Sequence, residues 1–183
     1  TLILANKARD VGAKVAVVAS PHPIDLVKIL EFKTKSEASN LYLDAVDFCT
    51  TLVDENLIVG LGELGRPHFD VDKSVWDLSN QVLLESLKRA RDVDAAAVLH
   101  TESGTPEVMA DISSIASKAN FPKNRLVKHY GGPGAIENPS GIIVSIISSF
   151  TNIEYASNTN SDFMLETDYL DDPQRPGAVM GPK

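Results

Sequence analysis

The chain contains a single cysteine, Cys49, in 183 residues. One thiol excludes an internal disulfide framework and any cysteine-rich zinc module, and it fits a reducing cytoplasm. No apolar stretch approaches the ~20 residues that cross a bilayer, so no membrane association is expected. The opening residues "TLILANKARD" lack the basic start and cleavage site of a signal peptide. Basic residues are outnumbered, 17 Lys and Arg against 25 Asp and Glu, for a net charge of −8. No Lys/Arg block stands out. Broad electrostatic binding to nucleic acid needs a basic face set against several phosphates, so any such contact here is local to a site.

What is present is an ordinary globular balance, 43% hydrophobic and 23% charged. A chain of this length buries roughly 70% of its unfolded surface. Six short apolar runs recur: "KVAVVAS" (14–20), "LIVGLG" (57–62), "AAAVLH" (95–100), "RLVKHY" (125–130), "GIIVSII" (141–147) and "DFMLETD" (162–168). They are rich in Val, Ile and Leu and mostly continuous, the pattern of parallel strands covered by helices. Residues 36–56 are amphipathic, with Leu41, Ala45, Phe48 and Leu52 on one face, and "TKSE" reads as their capping box. Asp72 is placed to cap a helix running through Trp76, Leu83, Leu84 and Leu87 toward Asp92. Thr105-Pro106-Glu107 opens a third helix. "ARDVGAKVAVVAS" (8–20) and "ARDVDAAAVLHTE" (90–102) both end a helix and enter a strand, with Gly12 and Asp94 at matching left-handed termini. Without a linker or low-complexity tract, residues 1–183 are expected to form a single α/β domain.

Gly60, Gly62 and Gly65 in "IVGLGELGRPHF" match the G-x-G-x-x-G spacing of a dinucleotide-binding turn. Such a turn needs a helix that begins inside the fingerprint, because its N-terminus holds the pyrophosphate. Here Arg66-Pro67-His68-Phe69 follows, and no helix can begin before Asp72. Glu63 also puts a carboxylate where an anion should sit, and the acid expected ~20 residues on falls on Glu85, in mid-helix. The glycines are better explained as keeping a strand end uncluttered.

The other strand ends carry a different pattern. "VLH" ends in His100, "LVKH" reaches His129, "LETD" ends in Asp168, and "VASPH" leads to His22. A strand-end histidine is commonly a hydrogen-bonded structural residue, and a strand-end carboxylate is commonly a helix cap. Several metal-ligand types on successive parallel strands point instead to a shared metal site. In a (β/α)8 barrel these ends face the active site, and the spacing from Glu63 to His100 to His129 is close to the roughly 31 residues of one βα unit.

Taken together, "GLGELGRPHF", "VLHTES", "KHYGGP", "LETDYLDDP" and "SPHP" resemble, in order, motifs of the TatD-like metal-dependent hydrolases of the amidohydrolase superfamily. "GRPHF" and "DDPQRPGAVMGPK" look closest to an archaeal TatD-related branch. The resemblance implies a TIM-type barrel holding two divalent ions, Zn, Mn or Mg. It implies that Glu63 bridges them, that His100 and His129 bind one, and that Asp168 binds the other and helps deprotonate the attacking water. His22 is then assigned to substrate binding.

Two departures qualify this picture. The family's first strand carries a His-x-His pair, and the sequence contains no H-x-H. Counted against the family, the segments correspond to about strands 3 to 8 of the barrel, an incomplete one whose open edges are covered by a missing segment or a homo-oligomer. Many family nucleases also follow the first His-strand ligand with an arginine, where Glu102 stands here. Arg66 either takes over a phosphate contact or pairs with an acid at the rim. His68 is read as a rim residue, Trp76 as helix packing, and Asp171 and Asp172 as a solvated loop. The expected function is a metal-dependent hydrolase acting on ester bonds, such as a deoxyribonuclease or phosphodiesterase taking nucleic-acid ends. The alternatives are an amidohydrolase or lactonase on a small molecule, and a non-catalytic scaffold.

Overall fold

In the computed structural model, residues 2–159 and 161–169 are described. Three helices come first: α1 (Leu2–Asp10), α2 (Pro23–Ile29) and α3 (Lys35–Asp54). Strands and helices then alternate through β1 (Gly60–Gly65), α4 (Lys73–Asp92), β2 (Ala96–His100), α5 (Pro106–Lys118), β3 (Leu126–Lys128), α6 (Pro133–Glu137), β4 (Ile143–Ile147), α7 (Phe150–Ser157) and β5 (Phe163–Glu166). The five strands form one parallel sheet in the order β1-β2-β3-β4-β5. A parallel wall wound in chain order, with a helix crossing between neighbours, is the wall of a (β/α)8 barrel. The incomplete barrel expected from the sequence is the fold observed. No described helix is long and apolar enough to cross a membrane.

Period-2 alternation sorts the wall into two faces. On β2, Ala97 and Leu99 are fully buried, whereas Ala96, Val98 and His100 are half-buried. The buried set joins Leu61, Leu64 and Leu126 with Leu83 and Leu87 of α4 and Met109 and Ile112 of α5 in one core. The other face carries the polar strand-end residues. The helices begin where the sequence signals them. Thr34 and Glu37 form a reciprocal capping box on α3, and Thr105 caps α5 ahead of Pro106. Asp72 precedes α4, but its side chain makes no capping bond. Gly12 and Asp94 both adopt positive φ, 92° and 57°, after α1 and α4.

The strand carrying Glu63 differs from the expected 57–62 and extends to Gly65. Leu61 pairs with Ala97 and Leu64 with Leu99, so Gly62 and Glu63 together face the single Val98. This bulge puts both leucines on the helix side, where three residues of spacing would otherwise separate them, and turns Glu63 to the open face. Gly65 is required at the close of the strand. A Cβ there would lie 1.8 Å from the His100 carbonyl oxygen, at a φ of +150°. That carbonyl accepts the Arg66 amide at 3.1 Å, which binds the ends of β1 and β2 together.

Two expectations are corrected. Residues 14–20 run beside β1 but form no regular strand: Val18 makes an isolated parallel bridge to Gly60. Val17 O accepts from Val59 N and Ala19 N donates to Gly60 O, and the pairing stops there. On α3 the buried stripe is Ala38, Tyr42, Val46 and Cys49, while Leu41 and Phe48 are exposed. The two stripes lie side by side on a helix apolar over much of its circumference, so periodicity alone did not select between them. Tyr42 is drawn inward because its hydroxyl finds an acceptor in Pro21 O at 2.9 Å. Asp171, Asp172 and the tail from 173 to 183 lie outside the described residues.

Candidate metal centre

All four histidines of the chain gather at the C-terminal ends of the first strands. The His100 ring lies at the middle, its centroid 4.6 Å from His22, 4.9 Å from His68 and 5.7 Å from His129. The Glu63 carboxylate faces three of them. Its Oε2 is 3.3 Å from His22 Nε2 and 3.4 Å from His100 Nδ1, and its Oε1 is 3.6 Å from His129 Nε2. Asp168 reaches the same place from beyond β5, with Oδ1 3.6 Å from His129 Nε2. Every residue expected at the metal therefore comes together, with His22 added. Hydrogen bonding from His100, then from His22, with the positive field of His129, holds the Glu63 carboxyl well below the usual carboxylate range against the opposing effect of burial.

His22, Glu63 and His100 offer ligand atoms that all lie within 4.8 Å of one another. The Glu63 carboxylate beside the imidazoles of His100 and His129 is a donor set that suits Zn²⁺ or Mn²⁺, so these residues fit a divalent ion. Hydrogen bonding separates their roles. His22 Nδ1 accepts from Ile24 N at 3.2 Å as the cap of α2, so in the neutral ring the proton sits on Nε2. That nitrogen is a donor to Glu63 and has no lone pair to give a cation. His129 is arranged the opposite way. Its Nδ1 lies 2.8 Å from Glu166 Oε2, so Nδ1 carries the proton and Nε2 turns a lone pair toward Glu63 and Asp168.

Glu166, which carries no strand-end signature of its own in the sequence, is the partner of His129. Besides His129 it accepts from Tyr130 N at 2.8 Å and from the Ser145 hydroxyl. Tyr130 adopts positive φ, 54°, immediately after His129. A signal did exist: Glu166 and Asp168 stand two residues apart, the spacing that shares one strand face. His68, read as a rim residue, places Nδ1 2.8 Å from His100 Nε2.

Of the two roles weighed for Arg66, the geometry displays the acid pairing. Its side chain is buried and forks onto Glu102, Nε to Oε2 at 2.9 Å and Nη2 to Oε1 at 2.5 Å. Nη1 reaches Asp111 at 2.5 Å and Asn80 at 2.7 Å, and the guanidinium lies 4.5 Å from the centroid of Trp76. Trp76 thus packs on α4 as expected, with a cation over its face. Nearby, Lys128 is buried with Nζ on the His129 carbonyl at 2.5 Å, and burial lowers its pKa to about 8 despite the carboxylates of Glu102, Glu166 and Glu63.

The sequence profile described as TatD related DNase matches residues 2–183. The chain belongs to this family. It is 37% identical over 164 residues to the uncharacterized protein MJ1127 of the archaeon Methanocaldococcus jannaschii, a match covering 88% of this chain and 58% of that protein. The chain thus spans little more than half the length of this relative. This membership agrees with the grouping of possible metal ligands around Glu63.

Proposed function

We propose that the chain is the greater part of a hydrolase barrel domain that uses two divalent ions, Zn, Mn or Mg, to cleave an ester bond, a phosphodiester at a nucleic-acid end being favoured by the family. The observation that carries this is the Glu63 carboxylate presenting separate oxygens to His100 Nδ1 and His129 Nε2. Such ions lower the pKa of water and polarise the scissile group. Glu63 would hold both ions, with His100 and His129 supplying neutral nitrogen. Asp168 is the most exposed of these groups, with 42% of its side chain open to solvent, and takes the proton of the attacking water. His22, fixed through its Nδ1 and donating Nε2–H to Glu63, lines the mouth where substrate enters.

A second reading, hydrolysis of a small amide or lactone, is favoured by one observation. Arg66 is already held by Glu102, Asp111 and Asn80 and is not free for a phosphate. The readings divide on the metal-loaded full-length protein assayed with a single-stranded oligonucleotide and with a panel of lactones and N-acyl amides. A cytoplasmic setting accords with the lone cysteine.

Glu63→Gln keeps the shape of the side chain and removes the charge both ions share. Activity on the preferred substrate should fall at least about 100-fold with unchanged circular dichroism. Near-normal turnover with metals retained would remove Glu63 from its bridging place. Asp168→Asn should depress kcat while the ion at His129 is kept, measured as metal content after dialysis. Parallel loss of both ions would contradict that division.

A further inference from the structure

We propose that His68 is a positioning residue of the metal centre: with an ion in place of the Nδ1 proton that faces Glu63, its Nδ1 would accept the Nε2–H of His100 and hold that ring in the tautomer whose Nδ1 lone pair is turned inward. The inference rests on the metal site proposed above. A neutral imidazole carries one ring proton, so the nitrogen that gives its lone pair to a cation leaves the proton on the other. His100 Nδ1 is 3.4 Å from Glu63 Oε2, which makes it the inward nitrogen. Its proton then belongs on Nε2, and His68 Nδ1 stands 2.8 Å away to receive it.

The loop that presents His68 is anchored from below. Arg66, two residues earlier, is pinned by side chains of α4, α5 and the β2–α5 loop, and its amide is bonded to the His100 carbonyl itself. The His68 ring is braced on Phe69, edge to face, with centroids 5.4 Å apart. His68 and His100 are thus carried by two adjoining strand ends tied to each other. The arrangement mirrors His129, whose outer nitrogen is held by Glu166. The partners differ in charge: His129 leans on a carboxylate and His100 on a neutral ring. Partners of this kind fix ring orientation and raise ligand basicity, and their loss costs about 10–100-fold in metal affinity.

The test is Co²⁺ binding to the full-length protein, by competition with a chromophoric chelator and by the visible d–d spectrum. His68→Leu removes the acceptor at an exposed loop position. His68→Asn restores an acceptor oxygen near the place of Nδ1. Support is a loss of about 10–100-fold for the leucine variant, recovery to within a few-fold for the asparagine variant, and unchanged band positions in both. Equal affinity in His68→Leu overturns the inference and leaves the metal site standing. Shifted bands in both variants overturn it by making His68 a ligand itself. Absence of Co²⁺ binding in the unsubstituted protein overturns the inference and the metal site together.

Discussion

In the proposed centre, His129 is expected to set the pH at which an ion is held. Burial pulls its pKa down, but the bond to Glu166 and the carboxylates of Glu63 and Asp168 outweigh this and raise it above that of an ordinary histidine. A protonated ring has no lone pair at Nε2, so proton and cation compete for one atom. Metal affinity should be full at alkaline pH and decline as pH falls through a midpoint above ~6.5, checked by isothermal titration across pH. Glu166→Gln should move that midpoint downward. Glu63 behaves with the opposite sign. Its lowered pKa contributes stability that is present above the usual carboxylate value of 4.5 and is lost only as pH falls through the depressed one. At this scale the sequence exposed the groups with a strand-end signature. It concealed Glu166 behind its neighbour Asp168, and His68 in a loop with no periodicity to place it.

Among the elements, Arg66 ties the most parts together: β1, the loop after β2, α4 and α5. Its guanidinium is withdrawn from water and its charge is answered chiefly by Glu102, which is itself 24% exposed. Breaking such a pair leaves a buried cation short of a partner. Glu102→Ala should therefore cost about 2–3 kcal/mol, below the figure for fully enclosed pairs because Asp111 remains. Urea unfolding measures it, and a loss within the scatter of surface substitutions would show the fork to be dispensable. The elements themselves were largely legible, since capping residues and continuous apolar runs report local physics. The misjudged ones depended on tertiary neighbours. Residues 14–20 have strand composition but a single bridge to β1, and the buried face of α3 was chosen by Pro21 O and the sheet, neither of which a local pattern contains.

For the molecule as a whole, the unfinished wall is the governing fact. Beyond β5 no described strand follows, and Met164 and Leu165 on it are half exposed. Sheet edges with unpaired amides and carbonyls invite pairing with further chain. The longer relative supplies the argument for which chain, since this segment matches 58% of it. Both edges are expected to be covered by further residues of the same protein, or by a second copy when those are removed. Size-exclusion chromatography with metal analysis on residues 1–183 and on the full-length protein checks this. A monomer of residues 1–183 holding two tightly bound ions would refute it.

The strand order has a genetic consequence. In a ring wound in chain order, neighbours in the wall are neighbours in the gene, except at the one seam where the last strand meets the first. Glu63, His100 and His129 are encoded in an unbroken stretch on β1 and at the ends of β2 and β3, whereas Asp168 follows β5, two strands further on. A nonsense or frameshift allele falling between the codons of His129 and Asp168 would therefore remove Asp168 and leave the other three residues encoded.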